Sequence, residues 1–350
     1  MAPRKKKAAR RPRRKPPAWA SASNEQILDL KMCDLGVKIE GSILEARIAR
    51  VLEELGNRDI LLTPDFWLSD DWFTPEGVTG TAIPFYLAHP RLMRLERSMM
   101  GEVEGGTERW CMMLLRHEMG HVVDHAFLLH TRRRWQQLFG RSSYRYPRFY
   151  RPNPFSKRHV QHLEYWYAQS HPDEDFAETF AVWLQPRSGW RKRYRGWPAL
   201  KKLEYVDELM AGIAGKKPRV RHRQRVDSLP TLKKKLWEHY QQKRAGEEGE
   251  YPNYYDQDLK KLFPGRKTRK SRSAASMVRR LRTDVLKRVA PWTGNDRYLL
   301  EHVLKDIIGR CRELDLQARG PESEIKTNLA VLLTKHAMNS LYRNRRWVEM

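Results

Sequence analysis

From Ser42 onward, Ile43, Ala46, Ile48, Val51, Leu52 and Leu55 form a broad apolar stripe at helical spacing that stops at Gly56. Ser42 is placed to cap that helix. The pattern then shortens to strand-like runs at Ile60–Thr63, Phe66–Ser69 and Thr81–Leu87, punctuated by Pro64, Asp70-Asp71 and Pro75-Glu76-Gly77. Helical periodicity returns over about 107–130, from the Ser170-His171-Pro172 step to about Leu184, and over about 198–214. The stretch GKKPRVRHRQRVDSLP that begins at Gly215 is basic and rich in breakers, and reads as a linker over 215–228. Helix-forming segments follow at about 229–246, 272–290, 296–316 and 321–345. The pattern therefore predicts an α+β domain over 24–214, a linker over 215–228 and a basic all-helical domain over 229–350. Residues 1–23 precede them as a disordered basic arm, because their first twenty hold nine Lys/Arg and four Pro with no acid.

Composition sharpens this picture. With 350 residues, 40% hydrophobic and 12 of them Trp, the chain has enough apolar surface for a substantial core, which excludes wholesale disorder and collagen-like fibres. No run approaches the length of a membrane span, and no apolar segment follows the basic start as a secretory signal requires. Three scattered cysteines cannot form a disulfide framework or a zinc ribbon, so a reduced, cytoplasmic setting is expected. The 68 Lys+Arg against 42 Asp+Glu leave a net charge of +26, which favours a polyanionic partner.

The chemistry lies inside the 107–130 helix, in His117-Glu118-Met119-Gly120-His121. Histidines at i and i+4 share a helical face one turn apart, so both imidazoles can reach one ion. Glu118 lies about 100° round the helix, too far to be a third ligand on that axis but within reach of a metal-bound water. This is the HExxH arrangement of zinc peptidases. A third protein ligand is needed, and a histidine ten residues after His117 is absent, since position 127 is Phe. His125 and His130 are better read as packing or solvent-facing groups. The better candidates are the acids of His171-Pro172-Asp173-Glu174-Asp175-Phe176-Ala177-Glu178. Pro172 suits a first helical position, Phe176, Ala177, Phe180, Ala181 and Leu184 form a core face, and Glu174 and Glu178 stack one turn apart beside it. An acid-capped amphipathic helix accounts for Asp173 to Asp175 without a metal, but accounts less well for Glu178 against the apolar stripe.

The pair HEMGH and HPDEDFAETFAVWL closely resembles a bacterial family of zinc-binding metallopeptidases whose second motif reads HPxEDxAExxA. More remotely, Tyr-x6-Glu-x3-Glu after HExxH is similar to the gluzincin-type catalytic domains of anthrax lethal factor and the clostridial Pro-Pro endopeptidases. The resemblance covers about residues 60–210 and implies a zincin-like domain holding Zn²⁺. It implies Glu174 as the third ligand beside His117 and His121, Glu178 as its support from behind, and Tyr167 as the group that meets the substrate carbonyl. Where gluzincins often place an Asp eight residues after the first His, this chain has His125 with Asp124 beside it, which leaves open what orients His121. On this reading Glu118 is the general base of peptide-bond hydrolysis, and the substrate is a protein or peptide. The competing reading of Tyr165, Trp166 and Tyr167 is aromatic packing.

The basic segments 1–20 and 265–290 fit sequence-independent contact with DNA or RNA phosphates, which would make the enzyme a tethered protease by functional analogy with SprT-like enzymes. The alternative is a nucleic-acid-binding protein or protein-interaction module that uses a metallopeptidase fold as a scaffold. An intact Glu118 argues against it.

Overall fold

The computed structural model describes residues 17–247, 255–264, 272–293, 297–343 and 348–349. The expected arm up to residue 16 and most of the basic run at 265–271 lie outside the described residues. The described residues are mostly helical with three two-stranded sheets, a composition compatible with the α+β expectation. In chain order they form α1 (Asn24–Leu28), α2 (Ile43–Gly56), β1 (Asp65–Ser69), β2 (Gly80–Pro84), α3 (Pro90–Met100), α4 (Glu108–Phe127), α5 (Arg133–Phe139) and β3 (Phe149–Tyr150). They continue with α6 (Pro172–Leu184), α7 (Trp190–Arg193), α8 (Ala199–Ile213), α9 (Leu236–Glu247) and α10 (Asp256–Leu262). The last elements are β4 (Arg272–Ser273), α11 (Ala274–Val289), α12 (Arg297–Glu313), β5 (Gln317–Ala318), α13 (Glu322–Arg343) and β6 (Val348–Glu349).

The predicted long helix is α4, and its ends have local causes. Thr107 Oγ1 accepts the Trp110 amide at 3.2 Å, and Leu128 closes the helix in a left-handed conformation with φ 52°. The α4 helix is buried on nearly every side, between α2 and α6. Arg116 faces α2, where Nε and Nη2 donate to the two oxygens of Glu54 at 2.7 and 2.8 Å, a buried bidentate pair that fixes the rotation of α4. Gly120 faces α6. A Cβ built there would lie 2.7 Å from Ala177 Cα and 3.1 Å from the Ala177 carbonyl oxygen, so only a glycine lets the two backbones approach this closely. On its far side α6 is held to α8 by a buried ion pair between Asp175 and Lys202. The parallel pair β1–β2 runs in register from Asp65 opposite Gly80 to Ser69 opposite Pro84, and β2 packs beside α4.

Several elements depart from the pattern read in the chain. Ile60–Thr63 is not a strand; Ile60 is buried, but the segment joins no ladder before Pro64. The strand expected over Thr81–Leu87 ends at Pro84, and Phe85–Ala88 is a 3₁₀ turn. Helix α3 was not predicted. It starts at His89-Pro90, with His89 Nδ1 accepting the Arg91 amide at 3.1 Å, the same device as His171-Pro172. Within the arm expected to run to residue 23, Trp19 is buried and its indole N–H donates to the Leu35 carbonyl at 3.0 Å. The 215–228 segment lies along the first part of the chain: the amides of Arg219 and Val220 donate to the Ala126 carbonyl, and the His222 carbonyl accepts the Thr79 amide at 2.8 Å.

Buried apolar side chains form two main clusters. The first joins the elements from Trp19 to α8 and also takes Leu229, Leu236 and Tyr240, so packing changes hands after α9 rather than at residue 229. The second is built from α10 to α13 and includes one residue from far upstream, Trp166. The C-terminal part is not purely helical, since β4 pairs with β5 and β6 pairs with β3, both antiparallel. No described helix is long and apolar enough to cross a membrane.

Candidate metal centre

The close approach of α4 and α6 at Gly120 and Ala177 places His117 and His121 opposite Glu174 and Glu178. His117 Nε2 lies 3.0 Å from Glu174 Oε2, His121 Nε2 lies 3.2 Å from the same oxygen, and the two Nε2 atoms are 3.2 Å apart. Among the described residues this is the only group of three His, Cys, Asp or Glu side chains whose donor atoms converge in this way. Donors about 2.0–2.2 Å from a tetrahedral zinc stand about 3.3–3.6 Å from one another, so this triangle needs to open by only a few tenths of an ångström.

Glu178 shows why a cation suits the triangle. Its Oε1 lies 3.0 Å from His117 Nδ1, and its Oε2 accepts the Leu163 amide at 2.8 Å. With the proton on Nδ1, the lone pair of His117 Nε2 is turned toward the Glu174 oxygen, and only a cation or a second proton relieves that opposition. Burial opposes charging His117, but Glu174 and Glu178 outweigh it and hold its pKa well above the usual histidine value. Burial likewise disfavours the Glu174 carboxylate, yet the two histidines hold its pKa well below the usual range. A buried anion facing two imidazoles is the charge and donor set that zinc takes.

Glu118 stands apart from the triangle, as its helical angle requires. Its Oε2 accepts hydrogen bonds from Thr74 Oγ1 at 2.7 Å and Thr81 Oγ1 at 3.1 Å, and it is close enough to act electrostatically on His121 and Tyr167. The threonines come from β2 and from the loop leading to it, and no spacing in the chain links them to α4. The ring of Tyr167 lies 5.7 Å from that of His117, and its side chain lines a cavity of about 680 Å³ with Arg145, Tyr146, Pro147 and Arg148. Burial, reinforced by Glu174 and Glu118, raises the Tyr167 phenol well above its ordinary pKa, so it keeps its proton at neutral pH.

Tyr146 was missed in the sequence. Its hydroxyl donates to Glu174 Oε1 at 3.0 Å, and its ring stacks on His171 with centroids 3.8 Å apart. His171 itself caps α6: Nδ1 accepts the Asp173 amide at 3.2 Å, while Nε2 donates to the Tyr144 carbonyl at 2.8 Å. The His-Pro step was the available signal for that cap; an isolated Tyr in a loop carried none. His125 and His130 lie outside the triangle. His125 Nδ1 faces the Val78 carbonyl at 3.0 Å, and His130 is paired with Asp124 at 2.5 Å.

The backbone before Tyr167 is unusual. Tyr165 and Trp166 have φ of 58° and 55°, two consecutive left-handed residues without a glycine. Each such residue costs about 1–2 kcal/mol, so neighbouring contacts must hold the turn.

Two helices that cross at a glycine present His, His and Glu to one point, with a carboxylate behind the first His, an arrangement that could hold a metal ion. Residues 95–190, which hold both motifs, match the model of the family described as "Putative zinc-binding metallo-peptidase". Zinc is thus the metal of the family that this segment matches, and a peptidase is the activity it suggests. No curated protein and no solved structure matches the chain.

Proposed function

We propose that the chain is a zinc-dependent peptidase of gluzincin type, with His117, His121 and Glu174 as ligands, Glu118 as general base and Tyr167 as the donor to the developing oxyanion. The observation that carries this reading is the triangle of donor atoms 3.0–3.2 Å apart, backed by the Glu178 contact to His117 Nδ1. Zinc held there would act as a Lewis acid and bring a bound water's pKa down toward about 7. Glu118, steadied through one oxygen by Thr74 and Thr81, takes a proton from the attacking water and passes it to the leaving amine. Glu178 keeps His117 in the tautomer whose Nε2 lone pair faces inward. Tyr167, protonated at neutral pH, donates to the oxygen that becomes negative as the carbonyl is attacked. Tyr146 holds the second oxygen of Glu174, so Oε2 is the atom that would face the ion.

The zinc-loaded protein should cleave members of a quenched fluorescent peptide library and lose that activity to a chelator. Tyr167→Phe should retain zinc while kcat falls roughly 100-fold or more, because only the hydroxyl is removed. The control Tyr144→Phe, at an exposed ring outside the cavity, should change kcat by less than about twofold. Equal losses from both substitutions would return Tyr167 to the role of a packing aromatic.

The net charge of +26 favours a second proposal, that the basic segments tether the enzyme to nucleic acid. On α11, Arg280 contacts Glu322 and Arg282 contacts Glu301, while Arg279, Lys287 and Arg288 are exposed. The arm, with its nine cations, would then supply much of the attraction. Deleting residues 1–16 should weaken binding to a DNA duplex and make the slope of log K against log salt visibly shallower, at about 0.9 per lost phosphate contact. A full-length protein that binds neither DNA nor RNA at low salt would remove the tether and leave the peptidase proposal standing.

A further inference from the structure

We infer that Trp166 is a positioning residue for the active site, anchored in the C-terminal helical cluster so that the left-handed turn at Tyr165-Trp166 presents Tyr167 to His117. This rests on the proposal that Tyr167 is catalytic. The turn is fastened to α6 at its start and closed on itself at its end. The Leu163 amide donates to Glu178 Oε2 at 2.8 Å, and the Ser170 amide and hydroxyl donate to the Tyr167 carbonyl at 3.0 and 2.7 Å.

Between these fastenings the backbone sits where side chains other than glycine are disfavoured, so the turn relaxes unless something outside it pulls. The pull comes from the second cluster. The Trp166 side chain is 6% exposed and packs among residues of α10 to α13, while its sequence neighbour Tyr167 points the other way, into the cavity beside His117. Further contacts run in the same direction. Lys305 of α12 pairs with Glu164, the Tyr165 hydroxyl reaches Asp306 of α12 at 3.5 Å, and Asp306 also accepts from Tyr255 at 3.3 Å. On the opposite side, the Tyr150 hydroxyl donates to the Tyr165 carbonyl at 2.9 Å.

Two adjacent left-handed residues kink the chain between Glu164 and Tyr167. They send Trp166 into one core and Tyr167 toward the other site, and neither side chain can be released without moving its neighbour. The helical region beyond residue 255, which lies outside the segment matched by the peptidase family, thereby sets the reach of a group in the site.

The test uses the full-length, zinc-loaded protein. Trp166→Leu keeps an apolar side chain but not the anchor. Amide hydrogen exchange should rise at least tenfold in the peptide spanning 163–170 and stay unchanged in α4 and α6, with zinc still bound at about one per chain. On a library peptide that the parent protein cleaves, kcat should fall 10- to 50-fold with KM within about twofold. In the Tyr167→Phe background, Trp166→Leu should cost less than twofold more, because the group it positions is gone. Trp166→Phe should recover most of the rate. Lys305→Met, a milder perturbation on α12, should give the same pattern at three- to tenfold and serves if Trp166→Leu loses its zinc. Unchanged exchange over 163–170 would overturn the inference whatever the activity shows. So would a full additional loss from Trp166→Leu in the Tyr167→Phe background. If Tyr167→Phe alone loses nothing while the exchange changes as expected, the anchoring stands and the catalytic assignment of Tyr167 falls.

Discussion

Glu118→Gln is expected to keep about one zinc per chain and to lose peptide hydrolysis by roughly 10²- to 10⁴-fold, the range that a general base contributes. The amide has nearly the shape of the carboxylate, and its oxygen can still accept from Thr74 and Thr81, so the local structure should hold. What disappears is the ability to take a proton. His121→Ala and Glu174→Ala should behave in the opposite way, losing the metal first and activity as a consequence. Metal analysis beside kcat on the same preparations separates the two classes. Full zinc in Glu174→Ala would transfer the third ligand to Glu178 or Asp173. Loss of zinc from Glu118→Gln would place Glu118 among the groups that hold the metal rather than those that use it.

The second large effect is expected at a residue that touches neither metal nor substrate. Gly120→Ala adds one methyl group 2.7 Å from Ala177 Cα, closer than a carbon atom can sit. Neither of the two nearest atoms belongs to a flexible side chain, so α4 and α6 must part. Overpacking of this kind costs about 1–3 kcal/mol or more, which at this chain length lowers Tm by several degrees. The consequence for zinc should be out of proportion to the loss of stability. Moving α6 away from α4 opens the contact from Glu174 to His117 and His121, so zinc affinity should fall at least tenfold in a chelator competition. Ala177→Gly should not rescue it, because the two closest contacts are to Ala177 backbone atoms. A Gly120→Ala protein with ordinary zinc affinity and Tm would mean that the helices are not held at this separation.

The elements read most directly from the chain are those with internal causes. Helices α2, α4, α6 and α8 carry stripes or caps within their own residues, and they appear within one to three residues of where those signals put them. Helix α3 was equally legible, since His89-Pro90 repeats the start of α6 and the buried Leu92 and Leu95 share a face, with Arg91, Arg94 and Arg97 interleaved at helical spacing. Ile60–Thr63 misled because a short apolar run names no partner: Ile60 is buried, Leu61 is exposed, and becoming a strand requires a ladder to join. The 215–228 stretch shows what composition leaves out. Its basic, breaker-rich composition describes a linker, whereas its backbone hydrogen-bonds to Thr79 and Ala126.

The 3.6-residue repeat of the helix is local, so the chain by itself determined that His117 and His121 share a face, that Glu118 is turned from it, and that Glu174 and Glu178 stand one turn apart on a Pro172-started helix. Only the tertiary structure decided which of those acids meets the histidines. That depends on where α4 and α6 cross, and the crossing is set by a missing Cβ at Gly120 and by the Glu54 and Lys202 ion pairs on the outer sides. It also decided the partners that no periodicity announces: Thr74 and Thr81 on Glu118, Tyr146 on Glu174, Leu163 on Glu178, and Trp166 in a cluster built from residues almost a hundred positions and more downstream. Contacts between distant segments arise from packing, and packing leaves no repeat in the chain to be read.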